Sequence, residues 1–166
     1  NSNYAVISGG SGNRIYDSRS SSAVAGGNGN YITLNGADIH PSFIGGGAGN
    51  NVIAEGVVIA GGRSNFITDN FGFIGGGQSN RAGNNAGTIA DNQYAVVVGG
   101  QSNIANSTHS FIGGGEGNSI NAELATISGG QFNIVDQFNL NPDDGYAAAI
   151  SGGEDNQING SYGFIG

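Results

Sequence analysis

Phe111-Ile112-Gly113-Gly114-Gly115-Glu116-Gly117-Asn118-Ser119-Ile120 contains the whole design of this chain in one short string. An apolar pair comes first, then a small residue, then Gly-Gly. Two variable residues, Asn, one more variable residue and a second apolar residue complete the unit. Near the start, Val6-Ile7-Ser8-Gly9-Gly10-Ser11-Gly12-Asn13-Arg14-Ile15 has the same form. Self-similarity of this kind is the mark of a stacked repeat protein.

The first glycines of the pairs are Gly9, Gly26, Gly46, Gly61, Gly76, Gly99, Gly114, Gly129 and Gly152. Their successive spacings are 17, 20, 15, 15, 23, 15, 15 and 23. The base period is 15, and longer spacings hold insertions near 16–21, 33–41, 83–93 and 136–146. The numbering advances by 53 from Gly46 to Gly99 and again from Gly99 to Gly152, so a long loop decorates every third coil. So short a unit cannot hold a pair of helices and their turns. It suits one turn of an all-β solenoid, a parallel β-roll of short strands joined by tight corners. Nine coils stacked at the strand spacing make a rod of about 40 Å. The chain is therefore a single solenoid segment over 1–166, and it closes on Phe164-Ile165-Gly166, the opening of a further coil. It reads as a fragment of a longer repetitive chain.

Two columns form the predicted core. Two places before the pair stand Ile7, Val24, Ile44, Ile59, Ile74, Val97, Ile112, Ile127 and Ile150. Six after its first glycine stand Ile15, Ile32, Val52, Ile67, Ala82, Ala105, Ile120, Val135 and Ile158. β-branched side chains suit strands. A third column, four before the pair, is mostly small (Ala5, Ser22, Ser42, Val57, Gly72, Ala95, Ser110, Ala125, Ala148). Three large side chains per coil would overpack a narrow interior.

The glycine pairs mark a corner that needs positive φ or close backbone approach. Asn occupies one place in every coil: Asn13, Asn30, Asn50, Asn65, Asn80, Asn103, Asn118, Asn133 and Asn156. A residue repeated in every coil serves the coil. The expectation is an amide ladder along the axis that also bonds corner backbone groups.

Three places before the pair the column is again apolar: Val6, Ala23, Phe43, Val58, Phe73, Val96, Phe111, Thr126, Ala149, then Phe164. It adjoins the core isoleucines, so on a strand it points the opposite way. A strand that is apolar on both faces is covered on both. Phe43, Val58, Phe73, Val96, Phe111 and Phe164 are accordingly the candidate interface with a partner chain. The competing reading has the long loops fold over this face.

Composition narrows the function. Glycine supplies 34 of 166 residues and charged residues only 10%, against a usual ~7% and ~25%. With two prolines and no glycine at every third place, collagen is excluded. There is no cysteine, hence no disulfide or thiolate zinc site. A net charge of −8 disfavours nucleic acid and anionic lipid. No apolar run approaches the ~18 residues of a membrane span.

The string Tyr94-Ala95-Val96-Val97-Val98-Gly99-Gly100-Gln101-Ser102-Asn103, followed by Ser110-Phe111-Ile112-Gly113-Gly114-Gly115, resembles the head repeats of trimeric autotransporter adhesins. It is also similar to the Gly-Gly/Asn β-roll repeats of bacterial and phage fibre proteins. The resemblance implies a left-handed β-roll, three chains packed side by side, adhesion and an outer-surface location. With it comes self-association as a homotrimer or filament, and a host or surface glycan as a further partner.

No catalytic grouping stands out, and the chain reads as a non-enzyme without a cofactor. Asn in the repeat is a poor substitute for the carboxylates of a calcium-binding repeat. Asp136, Asp143 and Asp144 in the last insertion, and Glu154-Asp155, read as turns or solvated corners first and as a calcium loop second. His40 and His109 read as loop or strand-start residues. Two alternatives to a structural or adhesive fibre stay open. A carbohydrate-active tail spike needs a carboxylate pair in a groove, such as Asp91 with Asp143 or Asp144. An ice-binding solenoid needs a threonine array, and Thr33, Thr68, Thr88, Thr108 and Thr126 form no column.

Overall fold

The computed structural model describes residues 4–17, 21–34, 40–85, 88–136 and 146–166. Among them there is no helix; the chain is a parallel β-solenoid built on two sheets. The first sheet has ten strands, from Val6–Ile7 to Phe164–Ile165, and the second has nine, from Arg14–Asp17 to Gln157–Ile158. In both, each strand pairs in parallel with its counterpart one coil away, in sequence order. Between the sheets one residue per coil bridges to the next coil, in a column from Ser11 through Arg63 and Glu116 to Glu154.

Register is unchanged across the insertions. Val97 pairs with Ile74 across a long insertion, in the same alignment as Ile112 with Ile127, where none intervenes. The first two insertions begin as strand, because Tyr16-Asp17 pairs with Thr33-Leu34.

The core holds the three columns read from the sequence, joined by Ala54 and Ala122, eight places after the first glycine, which the sequence reading missed. From Val24 to Ile150 and from Ile32 to Ile158 the large members are buried, as are Ser22, Ser42, Val57, Ala95, Ser110, Ala125 and Ala148. Each buried isoleucine or valine contributes about 1.5–3 kcal/mol relative to exposure. The small column is needed: a Cβ on Gly72 would stand 2.8 Å from the Ile67 side chain.

Each coil turns at two left-handed places, and all but those at Ser21 and Pro41 turn at a third. The second glycine of every pair has φ between 83° and 97°. Two places later the chain is left-handed again, at glycine in Gly12, Gly29, Gly49 and Gly117, and at φ 53–56° in Ser64, Ser79, Ser102, Phe132 and Asp155. The third turn lies five places before the pair. There Tyr4, Phe71, Tyr94, His109, Leu124 and Ala147 take φ 53–65°, with Gly56 in the same place. This last corner favours ring side chains, with Tyr162 in the last coil as a further one, but less regularly than the glycine pairs mark theirs.

Candidate interaction surfaces

The asparagine column is an internal fastener. Each Nδ2 from Asn13 to Asn133 donates to the first-glycine carbonyl of its own coil and the second-glycine carbonyl of the next, and at Asn30, Asn50, Asn118 and Asn133 it also reaches the Oδ1 of the preceding asparagine. For Asn118 the carbonyls are Gly114 O at 3.0 Å and Gly130 O at 2.9 Å. Its Oδ1 accepts the backbone N–H of Asn133 at 3.0 Å, and its own N–H donates to Asn103 Oδ1 at 3.0 Å. The amide is satisfied by the coil at both ends, and the column is buried from Asn30 to Asn133.

The outer face of the first sheet is different. Its two outward columns run from Val6 and Ser8 to Phe164 and Gly166 with no charged side chain in either. In the single chain Phe43, Phe73 and Phe111 are 40%, 37% and 39% exposed, so the described loops leave them uncovered. Phenylalanine here comes with glycine two places on: Phe43 with Gly45, Phe73 with Gly75, Phe111 with Gly113, Phe164 with Gly166. At Gly45, Gly75 and Gly113 an added Cβ would overlap the backbone oxygen of Ala60, Val98 or Ser128 in the next coil. At Gly45 and Gly75 it would also stand 3.4 Å from the ring carbon Cε1 of Phe43 or Phe73. The ring lies along its own strand over the bare glycine. Val58 and Val96 stand between the phenylalanines, so large and small rows alternate coil by coil.

A column of rings follows the third corner, and sequence reading missed it. His40 meets Phe71 edge-on with centroids 5.2 Å apart. Phe71 stacks on Tyr94 at 5.2 Å, and Tyr94 on His109 at 4.9 Å. Gly56, at the same corner, leaves the room that Phe71 and His40 fill. The two histidines, which the sequence leaves unrelated, thus end one stack. His40 Nδ1 also lies 3.9 Å from Oε2 of Glu55, a residue only 2% exposed.

The carboxylate pair that a tail spike would need, Asp91 with Asp143 or Asp144, falls partly outside the described residues, because both Asp143 and Asp144 do. Asp91 is within hydrogen-bonding reach of Asp69. No group of three or more His, Asp or Glu able to hold a metal occurs among the described residues. Thr68 is buried and Thr126 lies on the outer face of the first sheet, so the threonines share no surface.

Compared with known proteins, the chain matches no protein-family model and no curated sequence.

Proposed function

We propose that this chain is a non-catalytic structural or adhesive segment of an extracellular fibre, self-associating as a homotrimer or filament through the outer face of its first sheet. The observation that carries the reading is the charge-free outer face with Phe43, Phe73 and Phe111 exposed upon it. Contiguous apolar surface of this kind marks an interaction site. The chain carries twelve acids against four arginines, so two copies repel wherever their acidic surfaces meet. On this face they meet without that opposition. Backbone groups of the interior strands are already paired within the sheet, which leaves side-chain packing as the mode of contact. The repeat sets length, since each further coil adds one rung of about 4.8 Å to the rod.

The test is the mass of the native chain by analytical ultracentrifugation, beside a Phe73→Asp/Phe111→Asp variant. Assembly of the native chain is expected, with the variant monomeric and its thermal unfolding little changed. A native chain that stays monomeric at every concentration tested, or a variant that still assembles, would sink the proposed interface.

A further inference from the structure

The described residues of the insertion at 83–93 are moored to the wall of the rod by several hydrogen bonds. Asn84 N–H donates to Asp69 Oδ2 at 2.8 Å, and Asn85 N–H to Thr68 Oγ1 at 3.1 Å. Asn70 N–H donates to Ile89 O at 2.7 Å. Gly83 passes so close that a Cβ would overlap Thr68 Oγ1 and Asp69 Oδ2. Further along, Thr88 N–H donates to Asp91 Oδ2 at 3.3 Å, and Thr108 Oγ1 donates to Asp91 O at 3.2 Å. Thr68-Asp69-Asn70 is thus the floor on which the insertion sits, and Asp91 brings a second carboxyl against it.

Asp69 is 2% exposed. The coil does not require a carboxyl there. Ala54 holds the same place in the preceding coil, and Ala122 holds it in the coil before the other long insertion; both are fully buried. Asn84 holds it in the following coil. Among the described residues, the one charged group bearing on Asp69 is Asp91. Glu55, one place along the preceding coil, faces His40 instead. A carboxylate buried beside another carboxylate, with no cation, is unfavourable; a proton shared between them removes one charge and supplies a hydrogen bond.

We propose that the insertion is latched to the rod by a proton shared between the Asp69 and Asp91 carboxyls, and that the latch loosens as the pH rises. Burial, with the neighbouring Asp91, pushes the Asp69 carboxyl from 3.8 up to about 6, against the lowering effect of the Asn84 and Thr68 hydrogen bonds. The sign follows from linkage. The folded state holds the proton more tightly than the unfolded chain, so the stabilisation is complete below about pH 4. It is lost as the pH passes about 6.

Carboxyl carbon shifts of Asp69 and Asp91, and amide-exchange protection of Asn84 and Asn85, can be followed by NMR between about pH 4 and pH 8. Asp69 is expected to show an upper step well above the ordinary aspartate range. Protection at Asn84 and Asn85, corrected for intrinsic exchange, is expected to fall by roughly tenfold or more across that upper step. Asp69→Asn should remove both the step and the loss of protection. Asp91→Asn, at an exposed side chain, should lower the Asp69 step without disturbing the coils. Protection that stays level with pH in the native chain would overturn the latch, as would the same loss in either variant.

Discussion

Gly62→Ala is expected to destabilise the rod by at least about 3 kcal/mol, the range of substitutions that strain a special backbone conformation. Two effects act together. Gly62 has φ 92°, a conformation L side chains rarely adopt. Its added methyl would also overlap the Gly77 carbonyl oxygen of the next coil and crowd Asn65 Nδ2 at 2.6 Å. That oxygen accepts Arg63 N–H at 2.9 Å and Asn65 Nδ2 at 3.1 Å, so moving the coils apart breaks the stacking bonds at this corner. Gly61 is the internal control. A Cβ there would meet nothing within 4 Å, and its φ is outside the left-handed range. Urea unfolding followed by far-ultraviolet circular dichroism separates the two. A large loss for Gly62→Ala with a small one for Gly61→Ala is expected. Equal losses would mean that the close approach between coils does not set the requirement for glycine.

The two glycines look alike in the sequence and do different work. The pair is legible because it recurs, but recurrence does not say which member is crowded. The isoleucine columns were legible from the second coil onward, since a period of 15 and an alternating strand place each one; in the first coil Ile7 is 45% exposed, having no preceding coil to cover it. The Phe-Ile-Gly triplets at 43–45, 73–75, 111–113 and 164–166 were also in plain view. Their meaning, a ring lying over the bare strand, needed the approach of the next coil. The ring stack was barely legible. Its corner holds rings at Tyr4, Phe71, Tyr94, His109 and Tyr162 but also Gly56, Leu124 and Ala147, so the recurrence is broken and easily passed over. His40, Phe71, Tyr94 and His109 become neighbours because insertions of unequal length leave and rejoin the coil in the same register. The meeting of Asp69 with Asp91 depends on the path of an insertion, which has no period to read.

These residues divide the labour of the surface. Coil-making residues repeat, and their partners lie in the adjacent coil. Residues on the outer face and in the insertions vary from coil to coil, because the core and the asparagine ladder hold the register without them. Ala122 in one coil and Asp69 in another show that freedom in one buried place. Exposed features are where this rod can differ from another of the same repeat.

The asparagine ladder gives the second large expected effect, and its sign distinguishes an amide from a carboxylate. Asn118→Ala removes the donor to Gly114 O and Gly130 O and the acceptor for Asn133 N–H. Each buried polar group left unpaired costs about 1–3 kcal/mol. Gly130 O keeps the N–H of Glu116 at 3.0 Å, so the Asn133 N–H and Gly114 O dominate. A loss of about 2–4 kcal/mol is expected. Asn118→Asp keeps the shape and the acceptor for Asn133 but sets a carboxylate oxygen where Nδ2 now donates to two carbonyls. Charge is buried and two attractions become repulsions, so at neutral pH the aspartate variant should be less stable than the alanine variant. Acid should reverse part of this, because a protonated carboxyl donates one hydrogen bond and loses its charge. Unfolding free energies of the native chain and both variants at neutral and acid pH provide the check. If Asn118→Asp is as stable as the native chain at neutral pH, the amide donor is dispensable and the ladder does not hold the coils. If it lies below Asn118→Ala at neutral pH and recovers in acid, the two donated bonds explain why this place is asparagine in all nine coils.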